Sequence, residues 1–152
     1  MQTSQSCRCL DRTPLPSFCC VFLHLGKMFY LKQGTSSARS LKVLHYEGWT
    51  GEVGGDTSHM LQLVDTLTTT LMEAETPTLL IQCCDGVGKS GLFSALCDVI
   101  NHMTYDREID VYMTVRHVQN VRPSAVTSLA QYRYCYEVAQ QRHRDMSIYA
   151  NT

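Results

Sequence analysis

The chain carries almost no net charge. Thirteen Lys and Arg stand against fourteen Asp and Glu, leaving −1 at neutral pH over 152 residues. A bulk positive field that would hold nucleic acid is therefore missing. Also missing is any run of about 18 uninterrupted apolar residues, the length that a membrane-crossing helix needs. The nearest approach, Phe18 to Leu25, is short and contains His24. Two arginines precede it, as in a signal peptide, but no small-x-small cleavage site is evident. No internal repeat is present. These absences leave a soluble globular domain with no nucleic-acid partner and no membrane insertion. One domain of this length buries about 68–70% of its unfolded surface.

Zinc-type spacing is absent too, although cysteine is plentiful. Cys7, Cys9, Cys19 and Cys20 lie in the first twenty residues, and Cys83, Cys84, Cys97 and Cys135 in the body. The Cys7-x-Cys9 and Cys19-Cys20 pairs lack a second convincing half. Cys97 and Cys135 fall on helical apolar patterns, where free cysteine acts as a small buried hydrophobe. Reduced thiols of a cytosolic protein are the expectation, with no metal and no cofactor.

What is present is organised around one stretch, from Leu79 to Gly91. The apolar run Leu79-Leu80-Ile81 has strand length and leads through Gln82 to Cys83 and Cys84. A glycine-rich turn follows, then Lys89, Ser90 and a long apolar helix pattern. A strand, a glycine loop and a helix start together form an anion cradle, because helix N-terminal amides carry roughly half a positive charge. Glycines let successive N–H groups converge on one oxyanion. At the mouth of such a cradle the same dipoles favour a cysteine thiolate. Three readings fit the loop alone. A nucleotide-binding loop, Gly-x-x-x-x-Gly-Lys-Ser, fits except that Cys83 replaces the first glycine. A cysteine-dependent phosphatase loop, Cys, five residues, Arg, Ser, fits except that Lys89 replaces arginine. The third is a βα turn with no ligand.

The remaining chain supplies the frame. Residues 1 to 27 show no clean period, and Pro14 and Pro16 break any helix, so an irregular leader is expected there. Met28 to Gln33 and Leu41 to Tyr46 read as strands, Lys42 pointing outward. Glu47 to Asp56 is a loop with four glycines and Trp49, the chain's one tryptophan, expected to anchor the loop on the body. Asp56 or Thr57 caps a helix whose apolar face is Met60, Leu61, Val64, Leu67 and Leu71. Pro77 ends that segment. Thr78 to Gln82 is apolar on both faces, as in an interior strand. The helix after the loop places Leu92, Ala95, Leu96, Val99, Ile100 and Met103 inward, and Tyr105 to Glu108 connects it onward. Ile109 to Asn120 is helical, with Val111, Val115 and Val118 inward and Pro123 bounding it. Ser128-Leu129-Ala130-Gln131 is a capping box opening a last helix, with Tyr132, Cys135, Tyr136 and Ala139 toward the core. Past Arg142 the polar tail, 143–152, is expected to fray. The class is α/β (α+β): a central mixed sheet, a strand–Cys loop–helix unit and C-terminal helices.

With these segments in order, the chain resembles the protein tyrosine phosphatases. Gln82-Cys83-Cys84-Asp85-Gly86-Val87-Gly88-Lys89-Ser90-Gly91 resembles the signature loop. His45-Tyr46-Glu47-Gly48-Trp49-Thr50-Gly51 resembles the strand and mobile acid loop. Asp110-Val111-Tyr112, Val121-Arg122-Pro123 and Gln131-Tyr132 with Tyr134-Cys135-Tyr136-Glu137 resemble the following helices. The likeness covers about Phe29 to Gln141, the C-terminal half of a catalytic domain, and its last run is most like the second, often inactive domain of receptor-type members. The first half, with the phosphotyrosine recognition loop, has no counterpart, which suggests a partial domain spanning 28–142. The nucleotide reading recedes, since no strand-borne Asp for magnesium is evident.

The resemblance implies roles and exposes departures. Cys83 stands at the nucleophile. Gln82 replaces a histidine. Cys84, Asp85, Gly86, Val87, Gly88 and Lys89 would surround the phosphate, and Ser90 would aid thiolate expulsion. Asp85 stands where active members carry a small residue. Facing the cradle, its carboxylate repels a phosphate dianion; facing outward, it is merely solvated. Lys89 keeps the charge of the family's arginine but loses its planar fork. Two lost charge-assisted contacts cost about 2–4 kcal/mol. Thr50-Gly51 replaces Pro-Asp, so the general acid is gone, and Glu52 is the neighbouring substitute. Thr127 replaces the first water-positioning glutamine, while Gln131 matches the second. The implied function is an impaired phosphatase domain that binds phosphate or phosphotyrosine-like anions and acts as a regulatory or scaffold domain. The competing reading is an active enzyme working through a cysteinyl-phosphate. Partners would be a phosphotyrosine protein or peptide, or another phosphatase domain, in the cytoplasm.

Overall fold

The structure, a computed structural model, describes residues 18–20, 27–31, 39–75, 78–107 and 109–150. Four strands form a mixed sheet: β1 (Phe18–Cys20), β2 (Lys27–Leu31), β3 (Arg39–Val43) and β4 (Thr78–Leu80). Their order is β2-β3-β1-β4. β2 and β3 pair antiparallel, Phe29 opposite Leu41, while β1 runs parallel to both β3 and β4. Mixed α/β architecture and the strand–loop–helix unit are as expected. Two strand expectations differ. Residues 18–20, read as irregular, lie inside the sheet, because a three-residue stretch takes its conformation from neighbours on both sides. The strand expected to be interior is at the edge among the described strands, pairing only with β1, and Leu80 is 42% exposed. The expectations at Pro14, Pro16 and Pro77 and for residues 32–38 lie outside the described residues.

Among the described residues there are four α-helices: α1 (Thr57–Met72), α2 (Gly88–Asn101), α3 (Val111–Val121) and α4 (Leu129–Ala150). Asp56 caps α1 through its carboxylate, which accepts from Ser58 and His59 amides at 2.9 and 3.1 Å. Asp110 does the same for α3, accepting from Met113 N at 2.8 Å. That cap places the helix start two residues after the expected Ile109. Where a connector was expected, α2 runs on into a π-helical turn, His102–Asp106.

The core centres on α2. Leu92, Phe93, Ala95, Leu96, Val99 and Ile100 are buried, and α2 packs against α1, α3 and α4. Met60, Leu63, Val64 and Leu67 face it from α1, and Val111, Val115 and Val118 from α3. Gly91 admits the turn before α4: a Cβ there would stand 2.7 Å from Ala125 Cβ. Gln119 ties that turn by donating to the carbonyls of Ala125 and Val126.

α4 meets its expected inward face in part. Its buried stripe is Gln131, Tyr134, Cys135, Val138 and Ala139; Cys135 and Ala139 face inward as expected, and Gln131, Tyr134 and Val138 join them. Tyr132 packs partly buried against the core as expected, while Tyr136 is exposed; the two rings pair edge-on, centroids 5.3 Å apart, hydroxyls 3.2 Å apart. A polar first position, Gln131, hid the i, i+3, i+4, i+7 pattern. The described part of the tail is helical: α4 continues to Ala150, with Arg142 bonded to Asp65 of α1 and Gln141 to Asp145 at 2.9 Å. Among the described residues no helix is long and apolar enough to cross a membrane.

Leu96→Ala should lower the unfolding free energy by about 2–5 kcal/mol, the range for opening a cavity at a fully buried leucine. Leu129→Ala, at a side chain 72% exposed, should change it by less than about 0.5 kcal/mol. Urea unfolding of both variants checks the packing.

Candidate active site

Beyond β4 the chain passes through Ile81 and Gln82 to the half-buried Cys83, then bends over 84–87 into the first turn of α2. Val87 stands at the N-cap, where its side chain makes no capping hydrogen bond. The amides of Val87 and Gly88 are satisfied from inside the loop by Asp85. One carboxylate oxygen, Oδ1, accepts from Val87 N at 3.0 Å, from Gly88 N at 2.9 Å and from the Cys83 thiol at 2.9 Å. These donors, the thiol first and then the two amides, hold the Asp85 carboxyl down to about 2 from its ordinary 3.8. The open choice at Asp85 is thereby resolved: its carboxylate faces the loop amides. Cys83 Sγ also lies 3.3 Å from Ser90 Oγ. Of the other three described thiols of the body, two are held protonated. Burial, first among the causes, pushes Cys97 and Cys135 up to about 12.

Beside Cys83 opens a cavity of about 160 Å³. Cys83, Cys84, Lys89 and Ser90 line it together with Gln82, His45, Tyr46 and Trp49, and Leu63, Ile81 and Phe93 give it apolar surface. The structure thus brings four of the expected site residues to one cavity. Lys89 Nζ lies 5.7 Å from the Trp49 ring centroid, a cation–π contact. Among the described residues no ion pair joins Lys89 to Asp85. Trp49, expected as an anchor, packs edge-on to Tyr46 with centroids 6.0 Å apart and also walls the cavity.

Glu52 and Gln131 are not among the residues lining the cavity. They meet each other instead. Gln131 Nε2 donates to the Glu52 carbonyl at 3.3 Å, while the Gln131 backbone amide donates to the capping Ser128 Oγ at 3.2 Å. Only half of the capping box forms, because the glutamine side chain holds the Trp49 loop. That loop is tied again by the Tyr46 hydroxyl, which donates to the Gly54 carbonyl. Below it, the buried Tyr134 hydroxyl has no hydrogen-bond partner among the described residues, and burial raises its phenol above the ordinary range. Tyr46, which the resemblance places only within the acid-loop segment, thus has a role in holding that loop and walling the cavity. Its spacing to Trp49 places both rings at one end of the loop, a signal that local patterning does not weigh. Among the described residues no group of His, Cys, Asp and Glu is placed to hold a metal ion.

Two measurements check this geometry. Gly55 has φ +71°, and a Cβ on it would stand 2.2 Å from the Gly48 carbonyl oxygen. Gly55→Ala should therefore cost about 1–3 kcal/mol and loosen the loop, read as a lower thermal midpoint and faster amide exchange from 48 to 55. Asp85 has a depressed folded-state value, so its contribution is present above its unfolded value. It should stay constant from neutral pH down to about 4 and vanish as pH falls through about 2. A side-chain carboxyl titration followed by NMR in wild type and Asp85→Asn should show that step only in wild type.

Comparison with known proteins agrees with this geometry. The family model described as protein-tyrosine phosphatase matches residues 24–141. Human receptor-type tyrosine-protein phosphatase alpha is 30% identical over 118 residues, 76% of this chain and 15% of that protein. The rat receptor-type tyrosine-protein phosphatase epsilon is 28% identical over 123 residues, 80% of this chain and 18% of that protein. Tyrosine-protein phosphatase Lar of Drosophila melanogaster is 37% identical over 71 residues, 47% of this chain and 4% of that protein. The chain therefore spans less than a fifth of the length of these relatives. With a strand, a cysteine loop and a helix in the family's order and 118 residues under its model, this chain belongs to the protein-tyrosine phosphatase family.

Proposed function

We propose that the chain is a catalytically impaired tyrosine-phosphatase domain. Its loop and the adjoining cavity take a phosphotyrosine-like anion, and its role is regulatory or scaffolding. The observation that carries this reading is the acid loop. Gly51 stands where a proton donor is needed, and the neighbouring Glu52 is tied by its backbone to Gln131, outside the cavity lining. A general acid contributes roughly 10²–10⁴-fold to such a reaction. Lys89 adds to the deficit, since a point charge resting over Trp49 cannot fork two phosphate oxygens. The ligand is a phosphotyrosine protein or peptide, or a second phosphatase domain that presents an acidic surface. The cytoplasm suits its reduced thiols.

One observation favours a working enzyme. Cys83 and Ser90 keep their 3.3 Å contact beside the cavity. In that reading the Cys83 thiolate attacks phosphorus and the phosphorus–oxygen ester bond breaks. The phenol leaves with a proton from Glu52 or water, and water then hydrolyses the cysteinyl-phosphate.

Hydrolysis of a small aryl phosphate by the full chain, beside Cys83→Ser, separates the two. The expected result is no turnover above the Cys83→Ser background from a cooperatively melting sample. Gly51→Asp with Lys89→Arg should then raise the rate by at least about 10²-fold. Aspartate is tolerated better than most residues at the φ of +61° that Gly51 adopts. Turnover by the wild type that vanishes in Cys83→Ser would establish the enzyme instead.

A further inference from the structure

The anion cradle of this chain already holds an anion. Its donors converge on Asp85 Oδ1: the Val87 amide at 3.0 Å, the Gly88 amide at 2.9 Å and the Cys83 thiol at 2.9 Å. An external oxyanion bound at the start of α2 would draw on the same two amides, and it would meet the carboxylate's negative charge at van der Waals distance. We infer that Asp85 is an intramolecular ligand of the loop, an autoinhibitory carboxylate that competes with phosphate for the amides and keeps the Cys83 thiol engaged as a hydrogen-bond donor. The inference rests on the anion-binding reading of the loop and gives the reason that binding is weak.

The arrangement is local and built for occupancy. Asp85 reaches residues two and three positions ahead, so the carboxylate needs no distant partner to stay in place. Gly88 gives it room: a Cβ on Gly88 would stand 2.9 Å from Asp85 Oδ2. Lys89, the cation available to an incoming phosphate, is turned to the Trp49 ring and pairs with no carboxylate among the described residues. The cradle is thus neutralised by its own loop, while the cation that would serve an external ligand is parked at the cavity wall. A cap that serves folding alone predicts only a loss of stability when Asp85 is removed. A competing ligand also predicts a gain in oxyanion affinity and in access to the Cys83 sulfur.

The experiment uses the full chain as wild type, Asp85→Ala, Asp85→Asn and Asp85→Ala with Lys89→Gln. Inorganic phosphate is titrated by calorimetry and by thermal shift, and alkylation of Cys83 by iodoacetamide is followed by peptide mass spectrometry, with Cys84 as internal reference. Asp85→Ala should bind phosphate at least tenfold more tightly than wild type and alkylate faster at Cys83 but not at Cys84. Asp85→Asn, which keeps an acceptor but removes the charge, should fall between them and serves as the decisive variant if Asp85→Ala does not fold. The added Lys89→Gln should remove most of the gain in phosphate affinity. A faster Cys83 reaction with no phosphate binding in any variant supports the internal ligand and refutes the anion-binding function. Phosphate affinity and Cys83 alkylation both unchanged, or affinity that falls, overturns the internal ligand; wild-type binding as tight as that of the variants leaves the anion-binding function standing.

Discussion

Burial of α2 on three sides is the constraint on which the rest depends. Leu92, Ala95 and Leu96 are closed off by α1, α3 and α4, and each helix contributes its own apolar stripe to the contact. A helix held in this way has no freedom to slide or roll, because interiors are close-packed and a shift of one residue would expose a whole face. Its first turn is therefore a fixed platform. The direction of the Val87 and Gly88 amides, and so the position of whatever anion they hold, is set by hydrophobic packing some way along the same helix.

On that platform the proposed chemistry is a competition for few donors. Two amides and one thiol are presented, and a single carboxylate oxygen takes all three. Such a bond network costs nothing in chain closure, since its members lie within five residues of each other. An outside ligand must displace it and order itself as well. The departure at Asp85 and the departure at Lys89 therefore act together. One supplies negative charge inside the loop, and the other weakens the positive clamp that would overcome it.

The Trp49 loop belongs to the same economy of contacts. Tyr46 and Gln131 hold it by its backbone, through the carbonyls of Gly54 and Glu52, while Gly55 permits the close approach to Gly48. Backbone anchoring tolerates loss of the acidic side chain that the family uses at the position of Gly51. The loop therefore keeps its place in the fold with glycine at that position.

Local patterning determined much of the architecture. Strand, cysteine loop and helix were legible from Leu79 to Gly91, because each depends on residues adjacent in the chain. The α2 and α3 faces followed from apolar spacing, and Asp56 and Asp110 mark helix starts by bonds that span three residues. Cys83, Cys84, Lys89 and Ser90 were identifiable as one group because they lie within eight residues of each other. What needed the tertiary structure is what involves distant partners or a choice of direction. Residues 18–20 became a strand only through β3 and β4, and β4 took the edge of the described strands through the order of its neighbours. The α4 stripe begins at Gln131 because its amide meets Glu52, 79 positions away. Whether Asp85 turned inward or outward was equally compatible with its spacing, and the amides of a helix start fixed in place by the core decided it.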